Sequence, residues 1–228
     1  MREKEQILIL RRIPHKDNTY VLDTLARGGG RKSFILRTGR TAQGKRNRSL
    51  SVPMQFLEVE WVGRSRWPRI VRMTPEMIYT DLFMDLRKNA QGYFMLENIR
   101  QLIYDNEDSE WYDWLAEEFR RLDREPFSAD FPLFFLAGLM ERLGIAPAAG
   151  QFGMFFDASN GVFISSPDMY TWDARKSGLF KKFLNQEPLS GAGERREVYT
   201  LVEQYLQHHF PAYRLPATLK WYQKMAEE

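Results

Sequence analysis

The chain has 228 residues, of which 28% are charged and 43% hydrophobic, a composition that fits one large or two small globular domains with real cores. It contains no cysteine, which excludes disulfides and thiolate metal sites and suits a reducing compartment. Its formal net charge of +3 hides a split: residues 1–75 carry 17 Lys/Arg against 6 Asp/Glu, and residues 76–228 carry 16 against 24.

Residues 5–75 read as strands. Ile7-Leu8-Ile9-Leu10 is a first short apolar run, Tyr20 to Leu25 a second, Phe34-Ile35-Leu36 a third, Gln55 to Val62 a fourth and Arg69 to Met73 a fifth. Turn signals separate them at Pro14 to Asn18, Gly28-Gly29-Gly30, Gly39 to Pro53 and Gly63 to Pro68. Five short strands in this space predict a small closed barrel, of which the OB-fold is a nucleic-acid-binding example. From Pro75 onward the period becomes helical. Met95, Ile99, Leu102 and Ile103 share one face, as do Trp111, Trp114, Leu115, Phe119 and Leu122, and Val198, Leu201, Val202, Tyr205, Leu206 and Phe210. Leu133 to Leu143 is apolar nearly all round and predicts a buried helix with Gly144 past its end. The segment 145–190 is less regular, with a short strand or hairpin expected at Gly161-Val162-Phe163-Ile164. The expected class is therefore α+β: a five-stranded OB-fold barrel over 1–78, then a helical domain over 79–228.

No stretch reads as a targeting or membrane segment. Ile7 to Leu10 is too short for a signal peptide, and the longest apolar run, Phe131 to Met140, holds Pro132 and is too short to span a bilayer. A cytoplasmic protein without a membrane partner is expected.

The charge pattern points to chemistry. No acid lies between Asp23 and Glu58, while Arg27, Arg31, Lys32, Arg37, Arg40, Lys45, Arg46 and Arg48 fall inside that gap. Together with Arg11, Arg64 and Arg66 they are candidate phosphate contacts, because Lys and Arg neutralise a nucleic-acid backbone whatever its sequence. Tyr20, Phe34, Trp61 and Trp67 lie among them and are candidates for stacking on bases. Gly39 to Lys45 fits the first seven positions of a P-loop, but Arg46 stands where Ser or Thr should hold magnesium. The following residues 47–53 lack an apolar helical period, so Gly39 and Gly44 read as loop residues. Glu58 and Glu60 share a strand face, where a magnesium nuclease could hold its metal, but no third acid or lysine completes the cluster nearby in sequence. His208 and His209 are adjacent and diverge on a helix, and with His15 they offer little material for a metal site or a triad. No catalytic residue and no cofactor is expected.

The order and spacing of several segments resemble a known family. Ile9-Leu10-Arg11, Asp17 to Leu22, Thr24 to Arg31, Thr38-Gly39-Arg40 with its basic continuation, and Pro53 to Glu60 are similar to the N-terminal domain of the RecO recombination mediators. Phe134 to Gly144, Phe156-Asp157 through Phe163, and Tyr205 to His209 resemble later segments of that family. The chain departs from it in two places. Many members carry a four-cysteine zinc site after the Leu-Gly helix, whereas Ile145 to Lys182 has no cysteine, as in a zinc-free branch. A basic-Ser pair common near the family C-terminus is here Pro216-Ala217.

The resemblance implies binding of single- and double-stranded DNA, annealing of complementary strands, and help in loading a recombinase onto DNA coated with single-strand-binding protein, in a cytoplasmic, nucleoid-associated setting. Its implied partners are the RecR protein and the acidic C-terminal tail of single-strand-binding protein. Arg120, Arg121, Arg124 and Arg142, at the ends of apolar helices, are candidates to meet that tail. They can equally pair with Glu117, Glu118 and Glu141. The rival reading is an OB-fold RNA-binding protein of translation or ribosome assembly.

Overall fold

The computed structural model describes residues 2–64, 66–103, 109–147 and 153–220. Its first elements are strands β1 (Glu3–Lys16), β2 (Thr19–Ala26) and β3 (Gly30–Arg37), helix α1 (Ala42–Leu50), and strands β4 (Phe56–Val62) and β5 (Arg69–Pro75). The strands close into a barrel in the order β1-β2-β3-β5-β4. All neighbours are antiparallel except β3 and β5, which meet in parallel at Ile35 and Arg69. This is the expected OB-type barrel, with a helix between its third and fourth strands. Alternation fills the interior: Ile7, Ile9, Leu22, Phe34, Leu36, Leu57, Val59, Trp61, Ile70 and Met73 form its core.

β1 is longer than its apolar run. Residues Glu3–Leu8 pair with β4, and Ile7–Lys16 pair with β2, with a register shift between Ile9 and Arg11. A bulge there lets one strand bend round the barrel and serve both neighbours. Pro14, expected in a turn, lies inside β1 opposite Tyr20. It sits where β2 is the only paired neighbour, so the missing N–H is tolerated. The turn itself is Asp17-Asn18, with Asn18 at φ 53°.

The stretch 39–53, expected as loop, contains α1. No apolar period marks it because only Gly44 and Asn47 are buried. Its ends hold it instead: Thr41 Oγ1 accepts from Gly44 N at 3.1 Å, and Arg12 donates to the Arg48 carbonyl at 3.1 Å and to Ser51 Oγ at 3.2 Å. N-capping and a cation at the C-terminus each favour a short helix.

The chain divides into two compact units, Met1–Pro126 and Phe127–Glu228. The change from strand to helix after Pro75 and this division after Pro126 are different boundaries. Helices α2 (Leu86–Leu102) and α3 (Ser109–Arg124) belong with the barrel. Phe56 of β4 packs edge-on against Tyr112 and Phe119 of α3, with centroids 5.3 and 5.6 Å away. The second unit holds α4 (Phe131–Arg142), a hairpin of β6 (Phe155–Asp157) and β7 (Val162–Ile164), α5 (Ala174–Leu184) and α6 (Ala192–His209). Gly144, at φ 69°, ends α4 as expected. The 145–190 stretch, read as irregular apart from its hairpin, contains α5, capped by Asp173 and burying Leu179, Phe180 and Phe183. Phe156 centres an aromatic cluster with Phe163, Trp172, Phe180 and Tyr205.

One carboxylate organises the join between β5 and α2. Asp123, near the end of α3, is buried and accepts from the backbone N–H groups of Thr80, Asp81 and Leu82 at 2.8–3.1 Å and from the Thr80 hydroxyl at 3.1 Å. The buried Lys88 ammonium donates to the Asp123 carbonyl at 2.7 Å. Burial, the largest single influence, pushes the Asp123 carboxyl up, but these donors together outweigh it and hold it below the usual carboxylate range. The stabilisation is thus present above the unfolded value of about 3.9 and is lost as pH falls through the lower folded value. Asp123→Asn, which turns a donor toward donors, is expected to cost about 1–3 kcal/mol in urea unfolding at pH 7. The gap to the unmodified protein should narrow below about pH 4; a gap independent of pH would remove the carboxylate from this role.

Candidate nucleic-acid interface

Three connections meet at one end of the barrel. Thr38 N, just after β3, donates to Asn18 O of the β1–β2 turn at 2.7 Å. Ile35 N donates to Pro68 O of the β4–β5 connection at 2.9 Å. The rings of His15 and Trp67 lie edge to face with centroids 5.5 Å apart. In OB-folds the first and last of these connections flank the ligand face.

The predicted cations separate into two groups. Arg11, Arg37, Arg40, Lys45, Arg46, Arg48, Arg64 and Arg66 are exposed, and among the described residues none of them forms a salt bridge. Lys16 and Arg69, exposed at the same strand ends, join them. The other three are already committed. Arg27 donates to Asp113 at 2.9 Å and to Gln6 Oε1 at 2.8 Å, and the Asp113 hydrogen bond holds its guanidinium still more firmly charged. Arg31 pairs with Asp23 at 2.6 Å and donates to the Arg100 carbonyl. Lys32 lies 4.2 Å from the Trp61 ring centroid and 3.9 Å from Glu5. These three tie strands and helices of the first unit together, although the Arg27 side chain remains 43% exposed.

The aromatic candidates separate as well. Phe34 is 0% exposed and Trp61 8%, both in the barrel core, so neither presents a face to a base. Tyr20 and Trp67 are half-buried at the open end. The Arg12 guanidinium lies 5.0 Å from the Tyr20 centroid and that of Arg66 lies 5.9 Å from Trp67, distances at which a cation is attracted to a ring. Arg12 was not among the sequence candidates. Its reach to α1 depends on a helix that the sequence pattern did not reveal.

The P-loop resemblance does not survive in three dimensions. A helix does follow Gly39, but Gly44 and Lys45 lie inside it, and Gly44 N is taken by Thr41 Oγ1. A Cβ on Gly44 would come 2.3 Å from Gly39 N, so the two glycines pack backbone against backbone and Gly44 is fixed by that approach. Glu58 and Glu60 point away from the core. Glu58 pairs with Lys4 at 3.1 Å, and Glu60 with Arg2 and Arg72 at 3.9 and 3.8 Å. Among the described residues no group of three His, Asp or Glu side chains is placed to hold a metal, and no helix is long and apolar enough to cross a membrane.

The partner candidates fall in different units. On α3, Arg120 pairs with Glu117 at 3.0 Å, Arg121 pairs with Glu118 at 3.2 Å, and Arg124 is exposed. Arg142 is exposed at the end of α4 in the second unit.

The exposed helix cations are expected to meet phosphates directly. Replacing Lys45, Arg46 and Arg48 together with Ala should weaken DNA binding for all sequences and reduce the slope of log K against log salt by about 0.7–0.9 for each phosphate no longer neutralised. Fluorescence anisotropy across a salt series measures this; an unchanged slope would take α1 out of the interface.

Comparison with known proteins agrees with the architecture. The family described as "Recombination protein O C terminal" matches residues 84–218. The DNA repair protein RecO of Phocaeicola vulgatus is 27% identical over 171 residues, covering 72% of this chain and 71% of its own. The family match alone takes in more than half of the sequence, and the chain belongs to the recombination protein O (RecO) family.

Proposed function

We propose that this protein is a DNA-binding recombination mediator of DNA repair. It binds single- and double-stranded DNA, anneals complementary strands, and helps to load a recombinase onto DNA coated with single-strand-binding protein. The observation that carries this reading is the set of exposed cations without ion pairs on the strands, turns and helix α1 of an OB barrel, with Arg66 against Trp67 and the half-buried Arg12 against Tyr20, in a chain of the RecO family. The name of the Phocaeicola vulgatus relative, a DNA repair protein, supports DNA over RNA as the ligand.

Annealing asks little covalent chemistry of a protein. Two phosphate backbones repel each other, and cations that neutralise both lower that repulsion while exposed bases find their complements. No activated nucleophile is required, and Glu58 and Glu60, each already paired with a cation, are not invoked. The second unit and α3 would serve protein partners: the RecR protein, and the acidic tail of single-strand-binding protein at Arg120, Arg121, Arg124 or Arg142.

The test is annealing of complementary oligonucleotides, bare or coated with single-strand-binding protein, without nucleotide or metal. The protein should accelerate both reactions. On coated strands the acceleration should disappear when the tail of the coating protein is deleted. Annealing no faster than the spontaneous rate on bare strands would overturn the mediator reading, and equal acceleration with the tail-deleted coat would remove the tail as a partner.

A further inference from the structure

The open end of the barrel carries two chemically different surfaces. Tyr20 and Trp67 are each half-buried rather than enclosed, and each has a cation against its ring, Arg12 at 5.0 Å and Arg66 at 5.9 Å. A base can stack on such a ring only when its own face is free, which is the case in a single strand and not within a duplex. Helix α1 is different. Its sequence, Ala42 to Leu50, holds no aromatic residue, and its exposed Lys45, Arg46 and Arg48 address phosphates, which single and double strands both present.

We propose that this end of the barrel divides the work: Tyr20 and Trp67 hold the bases of a single strand, while α1 holds phosphates of either a single strand or a duplex. The proposal rests on the DNA-binding reading above. Arg12 joins the two surfaces as a positioning residue. Its Nη1 donates to the Arg48 carbonyl and to Ser51 Oγ at the end of α1, while its guanidinium lies over the Tyr20 ring.

The division has a consequence for annealing. A single strand engages both surfaces. Once its bases pair with a complement they leave the rings, and the product is held through α1 alone. The product duplex is therefore held less tightly than the strand that enters, which favours release after pairing.

The experiment measures affinity of the full chain for three probes of equal length: oligothymidylate, an abasic strand with the same phosphates, and a blunt duplex. Trp67→Ala and Tyr20→Leu should each weaken oligothymidylate binding by about tenfold and leave the abasic strand and the duplex within about twofold. The Lys45→Ala, Arg46→Ala, Arg48→Ala variant should weaken all three by a similar factor. If Tyr20→Leu perturbs the core it packs against, Trp67→Ala decides, since Trp67 lies outside the core cluster. A parallel loss for all three probes in Trp67→Ala, with the unmodified protein binding each of them, would overturn the division and leave the DNA-binding reading standing. No binding of any probe by the unmodified protein would overturn both.

Discussion

Phe56 and Leu57 are neighbours on one strand, and both are buried, at 1% and 0% exposure. A strand with water on one side does not permit this, because successive side chains point to opposite faces. Leu57 enters the barrel core, while Phe56 lies outside that cluster, against Tyr112 and Phe119. β1 behaves likewise: Ile7 and Ile9 are in the core, and Leu8 and Leu10 are buried outside it. The outer side of these strands is apolar too, and at Phe56 it is covered by α3 of the same compact unit. That constraint decides which parts of the barrel remain for a ligand. It also accounts for Arg27, whose partner Asp113 sits on α3.

What remains uncovered is electrostatically unbalanced. In the barrel, Glu5, Asp23, Glu58 and Glu60 pair with Lys32, Arg31, Lys4 and Arg2 or Arg72, and none of those pairs involves the cations around the open end. Several like charges within reach of one another repel, with screening over about 8 Å at physiological salt. Asp17, exposed in the β1–β2 turn, offsets little of this. Such a surface is retained at some cost in stability, and a polyanion relieves it. The buried Asp123, by contrast, accepts from the backbone N–H groups of Thr80, Asp81 and Leu82, so the same unit contains a buried charge met by its own chain and an exposed set of cations that is not.

Much of this was legible in the chain. The five strands, the barrel and α4 with its Gly144 stop follow from apolar period and turn residues, as does a short strand or hairpin at Gly161. Alternation along Leu57, Val59 and Trp61, set against Glu58 and Glu60, already marks Trp61 as an inward residue, and the same reading applies to Phe34 and Leu36. That period assigns Trp61 and Phe34 to the barrel core and not to a stacking surface. Adjacent apolar pairs such as Phe56-Leu57 likewise signalled a strand covered on both sides. Helix α1 was not legible. It buries two residues, Gly44 and Asn47, and depends on Thr41, on the close approach of Gly39, and on Arg12 from a distant strand. Periodicity registers burial, and α1 has almost none. The pairing of Arg27, Arg31 and Lys32 was hidden for a related reason: their partners are set by register and packing, not by nearness in sequence.

The central claim is that DNA meets this protein on the open end of the barrel. Ultraviolet crosslinking of a single-stranded oligonucleotide to the full chain, with the attachment sites mapped by peptide mass spectrometry, tests it most directly. The account predicts crosslinks within residues 11–20, 37–51 and 63–69, with none on Phe56, Tyr112 or Phe119, which are buried against one another. Crosslinks confined to residues 127–220, with the barrel segments unmarked, would contradict it.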